Sequence, residues 1–234
     1  DDVMSIRQLI DQNDAKRVAS QLKRYGVTLF KGTGEIIDCD ADSTIKVVVR
    51  DGTDSFAELL AHKVVVSTGS KARRLKGIPL DQEGFYDSDS IAFLRSKPDN
   101  LFVQGTGIIA LEYATIFAEM GVRVCVAARG SREQILPMLD RAIRDALLAD
   151  LEAKGVEIIY RASVKSWCTD AETPTLELEL PKGIITRSFS AVLSAVGRVP
   201  ITQNLGIETL LAGDDVSRGK EFPILDNQQL ATTA

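Results

Sequence analysis

The most constraining feature of this 234-residue sequence is a glycine-rich turn between an apolar run and a helix. The turn, Gly105-Thr-Gly-Ile-Ile-Ala110, follows a short β-like run (residues 101–104) and opens a helical pattern that reaches Met120. Gly105 permits a tight turn, Gly107 lets the backbone approach a diphosphate, and Ala110 lets the helix pack close to a sheet. The free N–H groups and the dipole at a helix start favour an anion. The pattern predicts a dinucleotide-binding Rossmann unit; the alternative is a turn that only starts a helix.

The elements after this turn alternate between strands and helices. Strand-like runs at 122–127 and 156–160 flank a long helical pattern at 138–154. This order predicts parallel strands that are joined by right-handed crossovers. A hairpin around Pro181-Lys-Gly183 and an apolar strand at 191–196 follow.

The N-terminal part has a different periodicity. Residues 1–25 carry apolar side chains at helical spacing, and Gly26 stands where a helix C-terminus favours glycine. Short β-rich runs then alternate with glycine turns, which predicts an antiparallel meander. The runs are 27–30, 36–37, 45–49 and 63–67, and the turns are Gly32–Gly34 and Asp51-Gly52. The expected fold class is therefore α/β, with a Rossmann-type domain built on a parallel sheet and an attached antiparallel β-meander.

The end of the strand at 122–127 is where a Rossmann unit selects its cofactor. NAD-specific units place Asp or Glu there, about 20 residues beyond the glycine motif, to bind the ribose 2′-hydroxyl. This sequence has Ala128 instead, followed by Arg129 and then Arg132. A carboxylate would repel a 2′-phosphate, whereas arginine binds it through paired hydrogen bonds. The residues favour NADP(H) over NAD(H), with two solvated loop arginines as the alternative.

The composition argues against several classes of binding partner and several kinds of catalytic site. A net charge of −5 and a sequence pI of about 5.1 argue against nucleic acid and anionic membranes. No apolar run has the length of a membrane span, and the N-terminal stretch lacks a signal-peptide layout. Cys39, Cys125 and Cys168 form no CxxC and indicate a reducing, cytoplasmic setting, with Cys125 buried. The single histidine, His62, leaves a zinc site or a Cys–His pair without ligands, so no metal and no catalytic side chain is expected.

Three motifs, in order, resemble those of the FAD-dependent pyridine nucleotide-disulfide oxidoreductases. Ser67-Thr-Gly-Ser70 is similar to the family's ATG motif, and Gly105–Glu112 is similar to its nicotinamide motif, GxGxxAxE. Gly197-Arg-Val-Pro200 is similar to its GRxPN motif, although Ile201 replaces the usual asparagine. The resemblance covers essentially the whole chain.

Within that family, two runs look most like the soluble pyridine nucleotide transhydrogenases: Tyr86–Ile91 and Glu112–Phe117. The resemblance implies an FAD-dependent enzyme that passes hydride between NADPH and NAD⁺ through flavin. One alternative is a dihydrolipoamide dehydrogenase or other disulfide reductase whose CxxxxC lies upstream of this chain. Another is a nucleotide-binding module with no activity of its own.

Several parts of the family pattern have no counterpart in these residues. They are the first FAD-binding GxGxxG, the redox CxxxxC and the C-terminal dimerisation domain. The resemblance thus implies the middle of a larger, homodimeric flavoenzyme, with this piece alone inactive and free of flavin. Residues 1–97 would be a partial FAD-binding domain, 98–190 the NAD(P)-binding domain, and 191–234 a return segment toward the FAD domain.

The resemblance also implies roles for single positions. Gly34 would lie near the FAD adenine, and Thr68 and Gly69 would lie where the two cofactor domains meet. Ile108 would occupy the place of a tyrosine that gates the nicotinamide pocket in some relatives, and Gly197 and Arg198 would line the nicotinamide side. Ordinary turn geometry is the alternative for each, and Glu112 either faces the nicotinamide or is an ordinary acid near a helix start. The candidate cofactor-binding residues are Gly34, Thr68, Gly69, Ser70, Gly105, Thr106, Gly107, Ile108, Ile109, Ala110, Glu112, Ala128, Arg129, Arg132, Gly197 and Arg198.

Overall fold

The computed structural model describes residues 2–39, 44–52, 54–168 and 173–207, without the side chains of residues 2–12 and 55. The chain forms two compact units, one from residues 1–69 and 200–234 and the other from residues 70–199. The sequence-based boundaries at 97/98 and 190/191 both fall inside the second unit, and the FAD and nicotinamide segments that they separate stay predictions. Most of the expected return segment lies outside the described residues.

The first unit contains a helix and a three-stranded antiparallel sheet. Helix α1 (Asp2–Arg24) ends as expected at a glycine, because Gly26 has φ +69°. The amide of Val27 donates to the Leu22 carbonyl (2.9 Å) and the amide of Gly26 to the Lys23 carbonyl (3.2 Å), the two bonds of a Schellman motif. The strands are β1 (Thr33–Cys39), β2 (Ile45–Asp51) and β3 (Asp54–Ala61), in the order β1-β2-β3.

The meander is confirmed, but two of its expected strands are wrong. Val27–Phe30 and Lys63–Ser67 are not strands, and the third strand is Asp54–Ala61, which the sequence pattern did not indicate. The expected turn at Gly32–Gly34 instead contains the start of β1. A β-rich run becomes a strand only where a partner strand takes up its backbone hydrogen bonds. The run at 63–67 forms no ladder within the described part of the chain.

The second unit contains a five-stranded parallel sheet, in agreement with the predicted Rossmann domain. Its strands and those of its smaller sheets are β4 (Ser70–Ala72), β5 (Phe85–Asp87), β6 (Asn100–Gln104), β7 (Arg123–Ala128), β8 (Glu157–Tyr160), β9 (Ser163–Cys168), β10 (Thr175–Leu180), β11 (Gly183–Ser188), β12 (Ala191–Ser194) and β13 (Arg198–Pro200). The helices are α2 (Ile108–Glu119) and α3 (Arg141–Ala153), with single 3-10 turns at Ile91–Phe93 and Arg132–Gln134. Helix α3 starts later than the expected residue 138 because the Asp140 side chain accepts a hydrogen bond from the Ala142 amide (2.8 Å) and caps the helix.

The parallel sheet lies between a helical layer and the antiparallel sheet β11-β10-β9. Side chains of β6 alternate between the two layers: Leu101 and Val103 pack in the cluster that includes α2 and α3, and Phe102 packs on the other side. There the Trp167 ring meets the Phe102 ring edge-on, with the centroids 6.3 Å apart. Cys125 is buried, as predicted, and this burial raises the pKa of its thiol to about 12.

The strand order β5-β12-β6-β7-β8 contains one reversal. From β6 the chain moves outward through α2 to β7 and through α3 to β8, whereas β12 returns to the other side of β6. Open α/β sheets bind their ligands in the crevice at such a reversal, outside the carboxyl ends of the strands. The fold therefore predicts a ligand site at the ends of β6, β7 and β12.

Candidate functional site

The glycine turn after β6 depends on a close backbone approach at Gly105. This residue has φ +123°, and a Cβ built on it would lie 2.3 Å from the carbonyl oxygen of Ala195, just beyond β12. The Ala195 amide in turn donates to the Gln104 carbonyl (2.9 Å), which keeps the two strand ends together. Any side chain at position 105 would push them apart, so glycine is required here.

At Gly107, in contrast, neither the backbone conformation nor the packing requires glycine. It is the N-cap of α2, with φ −75° and ψ 175°, a conformation open to any residue, and no atom lies within 4 Å of a Cβ built on it. No side chain in the described residues caps this helix start, and the first turn carries no acid. Ala110, in the first turn of α2, is fully buried against the sheet. The uncapped N–H groups of α2 thus face open space, the arrangement that accepts a diphosphate.

A cavity of about 670 Å³ extends from this turn across the ends of β6, β7 and β12. Gly105, Thr106 and Gly107 line its middle, and Arg129 lines the side next to β7. The volume is that of a small-molecule or cofactor site. None of the lining residues in the described ranges is acidic, although the whole chain has a net charge of −5.

The end of β7 lacks the acid of NAD-specific units. Ala128 is the last residue of the strand and is fully buried. Arg129, which follows it, is exposed and makes no hydrogen bond or ion pair with another described residue. Its guanidinium therefore has its hydrogen-bond donors available for a ligand in the cavity.

Arg132, by contrast, is held by two neighbours away from the cavity lining. Its guanidinium forms an ion pair with Glu152 of α3 (2.5 Å) and donates to the Tyr160 hydroxyl at the end of β8 (3.1 Å). The hydrogen bond to Glu152 raises the pKa of Arg132 above its ordinary value. Arg132 is not among the residues that line the cavity, so the structure brings Arg129 but not Arg132 to its surface.

A second, more apolar cavity of about 390 Å³ lies on the other side of the glycine turn. Ile108, Ile109, Leu136 and Met138 supply most of its wall. Ile108 is 58% exposed, and Leu136 adopts φ +45°, a conformation that is unusual for a non-glycine residue and often occurs at functional sites. Glu112 is exposed and one helical turn beyond Ile108, on the same face of α2.

The GRxP motif borders the same cavity through Gly197 and Arg198. The Arg198 guanidinium binds three partners: Ser70 (Nε to Oγ 2.8 Å), Ser88 (3.1 Å) and Asp89 (2.6 Å). The hydrogen bond from Arg198 is the main reason why the pKa of the Asp89 carboxyl is lowered. Arg198 thus fixes the segments around Ser70 and Ser88 beside the cavity.

The remaining predicted residues lie in the first unit. Gly34 is within β1, opposite Val49 of β2, and its φ does not require glycine. The Thr68 hydroxyl donates to the Ile201 carbonyl (2.5 Å), and the Ile201 amide donates to the Gly69 carbonyl (3.0 Å). Gly69 has φ +76°, so glycine suits this turn. Contacts of these residues with FAD stay predictions.

Sequence reasoning missed the residues that enter the site from distant segments. Arg73 lines the larger cavity, and Leu136 and Met138 line the smaller one. Arg73 follows β4, whose pairing with β13 brings it beside Gly197. The signal for Arg73 was its position just after the ATG-like motif, but nothing local indicated a ligand.

The sequence predicts neither a metal site nor a membrane-spanning helix. The described residues include no group of three or more His, Cys, Asp or Glu side chains that could hold a metal ion. No helix in those ranges combines the length and the apolar character of a membrane span.

A family profile, curated relatives and solved structures all match this chain. The profile of the pyridine nucleotide-disulphide oxidoreductase family matches residues 3–218. The soluble pyridine nucleotide transhydrogenase of Hahella chejuensis is 31% identical over 206 residues, 85% of this chain and 42% of that protein. LpdA from Mycobacterium tuberculosis is similar with a TM-score of 0.81 and 26% identity, over 96% of this chain and 48% of that one. The HOCl-induced flavoprotein disulfide reductase RclA from Escherichia coli is similar with a TM-score of 0.62 and 26% identity, over 78% of this chain and 39% of that one.

The chain spans less than half the length of these relatives. The family match covers most of the chain, including the glycine turn at the strand reversal and the three motifs that carry the resemblance. The chain belongs to the pyridine nucleotide-disulphide oxidoreductase family.

Proposed function

We propose that the protein containing this chain is an FAD-dependent soluble pyridine nucleotide transhydrogenase, and that residues 70–199 bind its NADPH and NAD⁺. The observation that carries the proposal is the acid-free cavity around the uncapped start of α2, with Ala128 where NAD-specific units have a carboxylate and Arg129 directly after it. The transhydrogenase from Hahella chejuensis supports the choice within the family.

The glycine turn would bind the part common to both cofactors. The N–H groups of α2 beside Gly107 donate to the diphosphate, and the helix dipole favours its charge. This interaction does not distinguish NADPH from NADH. A site that binds the diphosphate in this way would accept both cofactors.

Arg129 would distinguish the two cofactors. Its guanidinium binds a 2′-phosphate by charge-assisted hydrogen bonds. NADH offers no such group, but the buried Ala128 neither repels its 2′-hydroxyl nor binds it. We therefore expect a preference for NADPH together with measurable binding of NADH, as transfer between the two cofactors requires.

The apolar cavity beside Ile108 would receive the nicotinamide. Its wall of isoleucine, leucine and methionine would shield a bound nicotinamide ring from water, and Ile108 would cover the ring without the stacking that an aromatic residue would give. Flavin, when bound in the whole protein, supplies the redox chemistry of the hydride exchange, so the role of these residues is alignment. No side-chain nucleophile is needed, and Glu112 is the acid best placed on α2 to orient the nicotinamide end.

The direct test uses the full-length protein with its flavin. It should reduce a spectrally distinct NAD⁺ analogue with NADPH as the donor, at a rate that does not depend on an added disulfide. A protein that oxidises NADPH only when a disulfide is supplied would overturn the transhydrogenase assignment.

A disulfide reductase is the second candidate, favoured by the similarity to the flavoprotein disulfide reductase RclA. It requires a CxxxxC, which these 234 residues do not contain. The sequence that precedes Asp1 in the full-length protein therefore distinguishes the two candidates. For the 234-residue chain alone, we propose cofactor binding without redox activity. The cytoplasmic location and the homodimeric state of the whole protein are proposed on the family resemblance.

A further inference from the structure

The side chain of Gln104, the last residue of β6, lines the 670 Å³ cavity directly before the glycine turn. Its carboxamide makes no hydrogen bond with another described residue, and its Oε1 atom is buried without a partner. We propose that this carboxamide binds a hydroxyl group of one of the two riboses that flank the diphosphate of the nicotinamide dinucleotide. The inference rests on the proposed function of this site.

The alternation of side chains along β6 sets the direction of Gln104. Phe102, two residues earlier, packs toward the antiparallel sheet β11-β10-β9, so Gln104 projects from the same face of the parallel sheet. Ala162 and Ser163, where β9 begins, line the cavity on that face. Gln104 thus meets the cavity from the face of the sheet opposite to α2 and α3.

A polar side chain at this position is unfavourable in the free protein. One step earlier on the same face, Phe102 of β6 pairs with Val192 of β12, and both are apolar and fully buried. A buried carbonyl oxygen without a partner destabilises the folded chain, and an apolar side chain of similar size would avoid that cost. A partner that arrives with the ligand explains why glutamine occupies this position.

The hydrogen-bonding capacity of a carboxamide matches only some groups of the cofactor. Its oxygen accepts a hydrogen bond and its nitrogen donates. The oxygens of a diphosphate only accept, so they offer nothing to the Gln104 oxygen. A ribose hydroxyl both donates and accepts, and the two riboses are bonded to the two ends of the diphosphate. Because Gln104 directly precedes the turn that would bind the diphosphate, these hydroxyls are the matching groups nearest to it.

Ser194 supplies a matched control at the same level of the sheet. It is the partner of Gln104 in the pairing of β12 with β6, and its Oγ atom is also buried without a hydrogen-bond partner. Unlike Gln104, it does not line the cavity. Ser194→Ala therefore removes a buried, unpartnered polar group beside Gln104 and leaves the cavity lining unchanged.

The test measures dissociation constants for NADPH and NADH by titration calorimetry with the 234-residue chain. Gln104→Met keeps the length of the side chain and removes its hydrogen bonds, so it should weaken both cofactors by a similar factor, about 3- to 30-fold. The midpoint of urea unfolding should stay unchanged or rise, because an unpartnered polar group is lost. Ser194→Ala should change neither affinity by more than about 2-fold.

Two fragments of the cofactor identify the ribose. ADP contains the adenosine ribose and the diphosphate, ADP-ribose adds the second ribose, and displacement of NADPH gives the dissociation constants of both. A loss in Gln104→Met for both fragments would assign the hydroxyl to the adenosine ribose, and a loss for ADP-ribose alone would assign it to the ribose at the nicotinamide end. No loss for either fragment, with both whole cofactors weakened, would assign the contact to the nicotinamide and contradict the proposal.

Four further results would overturn the inference. They are unchanged binding by Gln104→Met, a loss confined to NADPH, a urea midpoint that falls together with the affinity, and an equal loss of affinity in Ser194→Ala. If Gln104→Met binds both cofactors normally while Arg129→Ala still weakens NADPH, the Gln104 inference fails and the proposed function stands. If the unmodified chain binds neither cofactor, both fail.

Discussion

At the scale of single residues, the site depends on two glycines with different roles. Gly105 is glycine because its φ is +123° and a Cβ would meet the Ala195 carbonyl, so its role is in the fold. Gly107 has an ordinary φ of −75° and open space around it, so we propose that its role is in the ligand complex. The sequence motif predicted both glycines, but only the structure separates the two reasons.

The pair gives a prediction that separates stability from binding. Gly105→Ala should lower the free energy of unfolding by more than about 2 kcal/mol, because of the positive φ and the overlap with Ala195. Gly107→Ala should lower it by less than about 1 kcal/mol, yet weaken NADPH at least about 10-fold, because the methyl group occupies the approach of the diphosphate. Urea unfolding and calorimetric titration measure the two quantities. Gly107→Ala with unchanged affinity would contradict this account of the turn.

The buried thiol of Cys125 gives a prediction about pH. Its pKa is raised to about 12 in the folded chain, from an ordinary value of 9.0. Between these values the unfolded state loses a proton that the folded state keeps, so the free energy of unfolding falls as pH rises from about 9 to about 12. Cys125→Ser or Cys125→Ala should reduce this slope in urea unfolding between those pH values. An unchanged slope in both variants would contradict the assignment to Cys125.

Among residues, the motif around Gly105 and the arginine after Ala128 could be predicted because their spacing from a strand defines their place in a Rossmann unit. Arg73 could not be predicted, because its contact with the site depends on pairing between β4 and β13. The sequence predicted that Arg132 binds the 2′-phosphate together with Arg129. An arginine in a loop can, however, also form an ion pair with a carboxylate of the protein. In the fold, Glu152 of α3 is the partner.

At the scale of elements, the segment between β7 and α3 determines how Arg129 is presented. The 3-10 turn Arg132–Gln134 has a capping box: the Ser131 amide donates to the Gln134 side chain (2.9 Å). The Arg132–Glu152 pair joins this turn to α3, and the Gly130 carbonyl accepts from the Arg161 amide (3.0 Å) beyond β8. These contacts hold both ends of the segment that carries Arg129.

Arg132→Ala should therefore act on stability more than on cofactor choice. Because the pair is partly exposed, the loss of unfolding free energy should be about 1 kcal/mol or less. The affinity for NADPH should fall less than in Arg129→Ala, and the affinity for NADH should fall by a similar factor, since the whole segment loosens. Dissociation constants of both variants provide the comparison. A loss in Arg132→Ala that equals or exceeds that in Arg129→Ala, and is confined to NADPH, would make Arg132 the phosphate ligand.

The elements of the parallel sheet were predictable and those of the smaller sheets were less so. The run Val124–Ala128 is continuously apolar because both faces of the strand are buried there. Strand β9 (Ser163–Cys168) is largely exposed, and β5 has only three residues, so neither shows a clear apolar period. Val27–Phe30 and Lys63–Ser67 have β propensity, but their pairing partners are not in the described ladders. Pairing is a property of the tertiary fold, which local propensity does not contain.

At the scale of the whole molecule, the chain contains one glycine-rich dinucleotide turn of the GxGxxA type and spans less than half of its relatives. We therefore expect the purified 234-residue chain to bind NADPH but to retain no flavin. Absorption spectra after purification in the presence of FAD test this. Stoichiometric flavin bands that survive gel filtration would contradict the prediction.

We propose that the end of β7 selects the phosphorylated cofactor through Arg129. The most direct measurement compares dissociation constants for NADPH and NADH in the unmodified chain and in Arg129→Ala. We expect NADPH to weaken about 10- to 100-fold and NADH to change by no more than about 2-fold, because only NADPH carries the 2′-phosphate. Equal losses for both cofactors, or no loss for either, would contradict the claim.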